Sequence, residues 1–460
     1  MQDGKNKKRL LDPCTNEVFT DDDRLVDSKN GKKINWRGHK MNADKLTQVY
    51  TRLGNSYEGG SMEYEYYHRR AFRVSQCGAT LVYKCCPTSG DMRLHQVHFC
   101  KVRLCPMCSW RRSLKVFGQV SRVMNYIADT EDYSYIFLTL TAKNVKGEEL
   151  SQELDKYFAA FKKLTERKEY KALAHGHFRC LEVTRNWITD EYHPHFHVII
   201  AVNKSYFTDS RKYLSNEKWT SLWKDCMGLD YTPVVDVRKI KPPGDADDAS
   251  EPFSIRYAKA VAEVAKYTVK VDDIILETGK KYREKDVEDV IRSLGEEKRE
   301  RLTDETVKVL DSALKNRRLV AFGGELKKAH KALTLDDAVD GDLVNTDNNE
   351  VRSDLQAILI KYRWVIGLSD YFRVKEYESV TQEQPKQSQP LSTSTERHSC
   401  PPSPETANPN SSLSTSTERR GCPPSSKAAS SNSSAKMVSL KYPRPIRPSV
   451  KMPFLLCLRN

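Results

Sequence analysis

The sequence lacks the features of a membrane or secreted protein. No apolar run approaches the ~18 residues of a membrane-spanning helix, and the longest candidate, residues 198–202, has the length of a strand. Residues 1–11 are basic and polar, without the apolar core of a secretory signal. We therefore expect a soluble, cytoplasmic protein with no membrane partner.

Apolar residues are also few. They make up 38% of the 460 residues, less than in an average globular protein, while charged residues make up 30%. Lys and Arg number 76 against 62 Asp and Glu, so the formal net charge is +14. This balance excludes an acidic solvating protein and favours a polyanionic partner.

The two ends of the chain differ from its middle. Residues 381–460 carry eleven Lys and Arg against four Glu, and they hold 12 of the 20 prolines among many Ser and Thr. Such a segment buries too little apolar surface to offset the entropy lost on ordering. We predict a disordered basic tail at 376–460 and a polar, weakly structured region at 1–70.

Twelve cysteines in a chain without a secretory signal indicate thiols or a metal site rather than disulfides. Two cysteines in a Cys-Pro-x-Cys turn, with a third five residues upstream, can bind one tetrahedral Zn²⁺. Four cysteines are the predicted ligands: Cys77, Cys100, Cys105 and Cys108. For the fourth position Cys85 or His98 could replace Cys77. Free thiols in a small core are the alternative for this module at 71–128.

A basic helix is predicted to follow the cysteines. Residues 92–128 contain no Asp or Glu, and apolar residues recur every three or four positions after Ser109, a plausible N-cap. Three basic residues near the start of this helix are predicted to contact the DNA backbone: Arg111, Arg112 and Lys115. A solvated helix face is the alternative.

The segment 129–275 alternates between strand and helix patterns. Four strands are predicted at 133–141, 178–184, 193–202 and 232–240, with helices at 149–168 and 213–227. The order strand, helix, strand, strand, helix, strand predicts an α+β fold. In this fold an antiparallel sheet carries helices on one face.

The strand at 193–202 carries a candidate metal site. Side chains on a strand alternate between faces, so His195 and His197 project from the same face. Two imidazoles on a rigid backbone form part of a metal site. Glu182, on the expected neighbouring strand, is the predicted third ligand, and His193 competes for that place.

A predicted helix near the end of this segment carries candidate catalytic groups. Glu263 and Tyr267 are four residues apart and share one helix face. A phenol becomes a nucleophile when cations or a metal favour its anion, and a carboxylate can activate water. Lys266 and Lys270 could favour the phenolate or hold DNA phosphate. The alternative for Tyr267 is a half-buried structural role.

Three motifs in this order resemble a known family: FLTLTAKNV at 137–145, HPHFHVIIAV at 193–202 and EVAKYTVK at 263–270. They are similar to the rolling-circle replication initiators of small plasmids from Gram-positive bacteria, in the HUH endonuclease group. The stretches 99–115 and 321–333 resemble pieces that flank these motifs in the family. The resemblance spans residues 77–340.

The resemblance implies a fold and a chemistry. It implies an antiparallel-sheet HUH domain of ferredoxin-like (RRM-like) type at 129–275 and a helical C-terminal region at 276–375. His195 and His197 would hold Mg²⁺ or Mn²⁺ at the scissile phosphate of origin DNA. Tyr267 would form a 5′-phosphotyrosine and release a 3′-hydroxyl primer, and Glu263 would direct water at termination. Origin DNA and a host helicase are the implied partners.

Two rival functions remain open from the sequence. A mobilisation relaxase or a transposase would share the histidine strand, but the spacing of Glu263 and Tyr267 favours replication. A non-catalytic, zinc-stabilised DNA-binding regulator would explain the charge and the cysteines. It would leave the histidine strand without a role.

Overall fold

The computed structural model describes residues 9–29, 32–86, 90–131, 133–240, 258–266, 268–278, 282, 285–337, 339–346 and 358–374. The helices are α1 Trp36–Asn55, α2 Met62–Ser75, α3 Pro106–Thr130, α4 Leu150–Glu166, α5 Lys168–Leu173, α6 Asn216–Met227, α7 Ala258–Val264, α8 Lys285–Ser293, α9 Glu296–Ala313 and α10 Gly324–Ala332. The strands are β1 Arg9–Leu11, β2 Val18–Thr20, β3 Ser28–Lys29, β4 Lys32–Lys33, β5 Thr80–Cys85, β6 Met92–Val97, β7 Tyr133–Thr141, β8 Ala174–Asn186, β9 Glu191–Asn203, β10 Val235–Lys239, β11 Val320–Gly323, β12 Ile358–Val365 and β13 Asp370–Arg373. The predicted tail at 376–460 lies outside the described residues.

A five-stranded sheet forms the centre of the fold. Its order is β10-β7-β9-β8-β11, and every neighbouring pair is antiparallel. The predicted α+β class with an antiparallel sheet is confirmed, and the four predicted strands and two helices of 129–275 are present. Strand β7 has the predicted ends, and the other elements differ at one or both ends. The fifth strand, β11, comes from the region predicted to be helical.

Helices cover both faces of this sheet, so the prediction of helices on one face was wrong. Phe196 and Val198 of β9 pack on one side in a core that includes residues of α4 and α6. Ile199 and Ala201 pack on the other side with residues of α3, α7 and α10. The run from 196 to 202 is almost continuously apolar, as expected for a strand buried on both faces.

A second, four-stranded sheet joins distant parts of the chain. Its order is β13-β12-β5-β6, and β12 pairs with β5 from Ile358–Cys85 to Arg363–Thr80. The prediction of a helical region at 276–375 is therefore corrected: it contains α8, α9 and α10 but also three strands. Strand β12 completes the sheet next to the cysteines, and this long-range pairing leaves no local pattern in the sequence.

The prediction of a weakly structured region at 1–70 is also corrected. It contains all of α1 and most of α2, and the side chains of Asn35 and Ser61 cap these helices by accepting hydrogen bonds from backbone amides. Helix α1 buries Leu46 and Tyr50 in the main core. In the described part of the chain no helix combines the length and the apolar content that a membrane crossing requires.

Candidate active site and metal centre

Three predicted ligands meet on the two central strands. Glu182 of β8 lies directly opposite His195 of β9, and His197 follows two residues later on the same face. The Nε2 atoms of His195 and His197 lie 3.3 and 3.0 Å from Glu182 Oε2. The three residues are 9%, 7% and 4% exposed in the order His195, His197, Glu182. Two imidazoles and one carboxylate form a set suited to a divalent metal ion.

Hydrogen bonds fix the orientation of both imidazoles. The Nδ1 atom of His195 lies 3.2 Å from the carbonyl oxygen of His193, and Nδ1 of His197 lies 3.2 Å from Thr139 Oγ1. Because these partners engage Nδ1, the Nε2 atom of each ring is the one available to a metal. Thr139 was not among the predicted site residues, although the alternation of the FLTLT strand places it on the same face of the sheet as the histidines.

The charge of Glu182 is stabilised although the group is buried. Burial opposes its ionisation, but hydrogen bonds with His195 and His197 and the charge of Lys270 outweigh burial and lower the pKa of the carboxyl. Lys270 Nζ lies 3.1 Å from Glu182 Oε1. Lys270, predicted to contact DNA, is therefore in contact with the carboxylate of Glu182, the predicted third metal ligand.

The segment around the predicted nucleophile lies against the same strands. The backbone N–H of Val183, next to Glu182, donates to the carbonyl oxygen of Thr268 at 2.7 Å. Lys266 forms an ion pair with Glu263 at the end of α7. Tyr267 itself lies outside the described residues.

The charge of Glu263 influences the ionisation of Cys180 on strand β8. Burial raises the pKa of the Cys180 thiol, and the charges of Glu182 and Glu263 raise it further. Cys180 lies directly opposite His197 in the sheet. The charge of Glu263 therefore affects a residue that neighbours His197.

The four predicted zinc ligands form a second, fully buried group. Their sulfur atoms lie within 4.8 Å of one another: Cys77, Cys100, Cys105 and Cys108. Cys85, the alternative ligand, lies in β5 opposite Met92 and outside this group. Four thiols at this spacing suit a tetrahedral Zn²⁺.

The surroundings of the cysteines stabilise the thiolate of Cys108. The amide of Lys101 donates to Cys108 Sγ at 3.2 Å, and Lys101 adopts a left-handed conformation. Gly78, which follows Cys77, also adopts a left-handed conformation, and a Cβ atom at this position would lie 2.3 Å from the Met107 side chain. Burial opposes ionisation of Cys108, but hydrogen bonds from the other three cysteines lower the pKa of its thiol well below its usual value.

The basic residues at the start of α3 have a different role from the one predicted. Arg111, Arg112 and Lys115 are buried. Their side chains bond to backbone carbonyls of residues 339–344, and Lys115 also forms an ion pair with Asp336. The prediction that they contact DNA is therefore corrected. Helix α3 begins at Pro106 with Cys105 as N-cap rather than after Ser109, so these residues lie deeper in the helix.

Known proteins have sequences similar to this one over most of its length. Residues 91–372 match the family described as replication protein. A "Protein rep" of Bacillus amyloliquefaciens is 38% identical over 345 residues, which cover 74% of this chain and 94% of that protein. A "Protein rep" of Streptococcus pneumoniae serotype 2 is 33% identical over 362 residues, which cover 77% of this chain and 98% of that protein. One from Staphylococcus aureus is 38% identical over 207 residues, covering 45% and 85%.

No solved structure matches this chain. The sequence matches are nevertheless long enough to place it, since the family covers more than half of the chain and the relatives are matched over nearly their full length. Proteins of this kind initiate plasmid replication, bind origin DNA and are generally endonucleases. The chain therefore belongs to the replication-protein family, the Rep initiators of rolling-circle plasmid replication.

Proposed function

We propose that this initiator nicks and rejoins one strand of the plasmid origin with Tyr267 as nucleophile. The observation that carries the proposal is the attachment to strand β8 of the segment that directly follows Tyr267. The carbonyl oxygen of Thr268 accepts a hydrogen bond from the backbone N–H of Val183, and the ammonium group of Lys270 forms an ion pair with the Glu182 carboxylate. These contacts hold the segment that follows Tyr267 against the strand that carries Glu182, which supports the proposed role.

The proposed first step is a transesterification. The phenolic oxygen of Tyr267 forms a bond to phosphorus, the bond from phosphorus to the 3′ oxygen breaks, and that oxygen leaves as a 3′-hydroxyl after taking a proton. The 5′-phosphate stays on the protein as a tyrosyl ester. Because this ester keeps the energy of the broken bond, the strand can be rejoined without ATP. The 3′-hydroxyl serves as a primer.

Glu182, His195 and His197 would hold Mg²⁺ or Mn²⁺ for this step. When bound, such an ion polarises the scissile phosphate and stabilises charge as it develops. The chain itself supplies the orientation, since Thr139 and the carbonyl of His193 hold both rings with Nε2 toward Glu182.

The two lysines next to the nucleophile would act on its charge. A phenol has a pKa near 10 and attacks slowly as the neutral group. Lys266 and Lys270 are one residue before and three residues after Tyr267 in the sequence, and they form ion pairs with Glu263 and Glu182. Both ammonium groups stabilise a phenolate or an adjoining DNA phosphate.

Glu263 would end a round of replication. A carboxylate can accept a proton from water, which then attacks the phosphodiester in place of a second tyrosine. Hydrolysis at that point releases the strand instead of transferring it. The position of Glu263 near the sheet and beside Lys266 supports this role.

Two further partners complete the proposal. The four buried cysteines would bind a structural Zn²⁺, because their number and enclosure suit a closed tetrahedral site. A nick provides a primer but does not separate the strands ahead of it. We therefore include a host helicase as the partner that opens the duplex.

A covalent-adduct assay tests the proposed function. The wild-type protein is incubated with Mn²⁺ and labelled single-stranded oligonucleotides that tile the origin of its plasmid. We expect a covalent protein–DNA adduct that is lost in Tyr267→Phe. Tyr213→Phe is the matched control, because Tyr213 is an exposed tyrosine on a different segment.

The outcomes separate the candidate functions. An adduct in wild type and Tyr213→Phe, but not in Tyr267→Phe, supports the tyrosine mechanism. An undiminished adduct in Tyr267→Phe would remove Tyr267 from its role. Specific origin binding without any adduct would favour the non-catalytic regulator.

A further inference from the structure

The loop before strand β10 lies beside the histidine site. Thr141 of β7 is directly opposite His195, and its hydroxyl donates to the carbonyl oxygen of Val234 at 2.7 Å. Val235 pairs with Leu140, so Val234 continues the register beside Thr141. Residues that are opposite one another on neighbouring strands share a face. Val234, Thr141, His195 and Glu182 therefore form one row across the sheet.

Val234 is an apolar side chain held in an exposed position. It is 74% exposed, whereas Val235 is buried. The backbone at Val234 and Val235 is held by two hydrogen bonds: the Thr141 hydroxyl donates to the carbonyl oxygen of Val234, and the side-chain amide of Asn216 donates to that of Val235 at 2.9 Å. The side chain of Val234 is therefore held in solvent beside the histidine site, where a bound substrate could contact it.

A positive charge is fixed at the same end of the sheet. The backbone N–H of Lys143, two residues beyond Thr141, donates to the hydroxyl of Tyr231 at 2.9 Å. The ammonium group of Lys143 lies 4.1 Å from the centre of the Tyr231 ring, within the range of a cation–π contact. Tyr231 belongs to the same loop as Val234, so one short segment positions both the apolar group and the cation.

We propose that Lys143 and Val234 bind a nucleotide adjoining the cleaved linkage, with Tyr231 as the positioning residue for Lys143. Single-stranded DNA presents a phosphate and an apolar base or sugar surface at every nucleotide. Lys143 binds the phosphate, and Val234 contacts the base or sugar. This inference rests on the proposed function, because it takes the histidine site as the place of cleavage.

The test combines two variants with a modified substrate. Val234→Ser and Lys143→Ala are compared with Val26→Ser, which alters another exposed valine, and with Lys218→Ala, which alters an exposed lysine on α6. Each protein is assayed with origin oligonucleotides that carry one abasic site at successive positions around the nick. Manganese binding and thermal unfolding of each variant show whether the metal site and the fold are intact.

We expect both variants to raise KM roughly tenfold, the effect of losing one good nucleotide contact. An abasic site at one flanking position impairs wild type and both controls but causes no further loss in Val234→Ser, because the contact is already absent. Lys143→Ala lowers the slope of log affinity against log salt by about 0.7, the value of one single-strand phosphate contact.

Failure of this inference is distinguishable from failure of the proposed function. If wild type forms no adduct, the proposed function fails. If wild type forms the adduct, and Val234→Ser and Lys143→Ala match their controls in KM, salt slope and response to every abasic site, the nucleotide contact is refuted while the tyrosine mechanism stands.

Discussion

The molecule contains two groups of side chains suited to binding a metal ion, and the two groups differ in almost every respect. The cysteine group has four candidate ligands, all of them buried, which come from the turn after α2, the connection between β6 and α3, and the start of α3. The histidine group has three ligands on two strands, and Lys270 contacts one of them. A closed four-ligand site is typical of a structural metal, and a three-ligand site leaves positions for water or substrate.

This difference indicates that one group contributes mainly to folding and the other mainly to the reaction. The cysteine group lies where distant segments meet, since Cys105 caps the helix that packs against α7 and the sheet. The histidine group lies on strands whose pairing is already secured by the main core. Loss of the first group should therefore affect the whole fold, and loss of the second should affect only the reaction.

The largest effect is expected at the cysteine group. Cys108→Ser should lose the bound zinc and unfold at least about 10 °C below wild type, since the binding energy of a structural zinc is folding energy. Metal analysis and thermal unfolding measure the change. Cys14→Ser, which alters an exposed free cysteine, should match wild type. A Cys108→Ser protein with wild-type zinc content and stability would remove the structural role from this group.

The next largest effect is expected at the histidine group. His197→Ala should lower the nicking rate by more than about a hundredfold, because it removes a direct metal ligand. Thermal unfolding should stay close to that of wild type. His95→Ala, which alters an exposed histidine on β6, is the matched control. If His197→Ala unfolds as readily as Cys108→Ser, the two groups do not divide folding from chemistry.

A smaller effect is expected at the residue that orients His197. Thr139→Val keeps the shape of the side chain but removes the partner of Nδ1. We expect Mn²⁺ affinity to fall by about 10- to 100-fold, as for other groups that orient metal ligands. Titration calorimetry measures the change, and Thr51→Val on α1 is the control. Unchanged affinity would show that the ring is held without Thr139.

The smallest effect is expected next to the cysteine group. Arg112 donates to the carbonyl oxygens of Val339 and Lys101 at 3.0 and 2.8 Å. Arg112→Ala should lower the free energy of unfolding by about 1–3 kcal/mol, because it leaves buried carbonyls without a donor. Urea unfolding measures this free energy, and Arg93→Ala is the control.

DNA binding by the same variant distinguishes the two roles considered for Arg112. The salt dependence of origin binding should be that of wild type if Arg112 only supports the fold. Wild-type stability together with a duplex-DNA salt slope reduced by about 0.9 would restore Arg112 as a phosphate contact.

The sequence predicted much of the sheet and of the site. Alternation predicted the strands that became β7, β8, β9 and β10, because the period of a strand is a local property. The same period placed His195 and His197 on one face and pointed to Glu182 as their neighbour. The spacing of Cys105 and Cys108 indicated a shared site without reference to the fold.

Other features could not be predicted from local pattern. The polar residues around α1 concealed a helix whose stability comes from its buried face. The basic residues at the start of α3 were predicted to form an exposed surface. Their partners, the backbone carbonyls of residues 339–344, are more than 220 residues away in the sequence, so no local pattern indicates them.

The amino-acid sequence by itself determined which residues can bind metal, which faces they occupy and which family the chain resembles. Only the tertiary structure decided that β12 completes the sheet beside the cysteines, that helices cover both faces of the central sheet, and that Val234 lies in line with His195. Periodicity and ligand spacing are set over a few residues. The position of a side chain relative to a distant segment is set by the packing of the whole core.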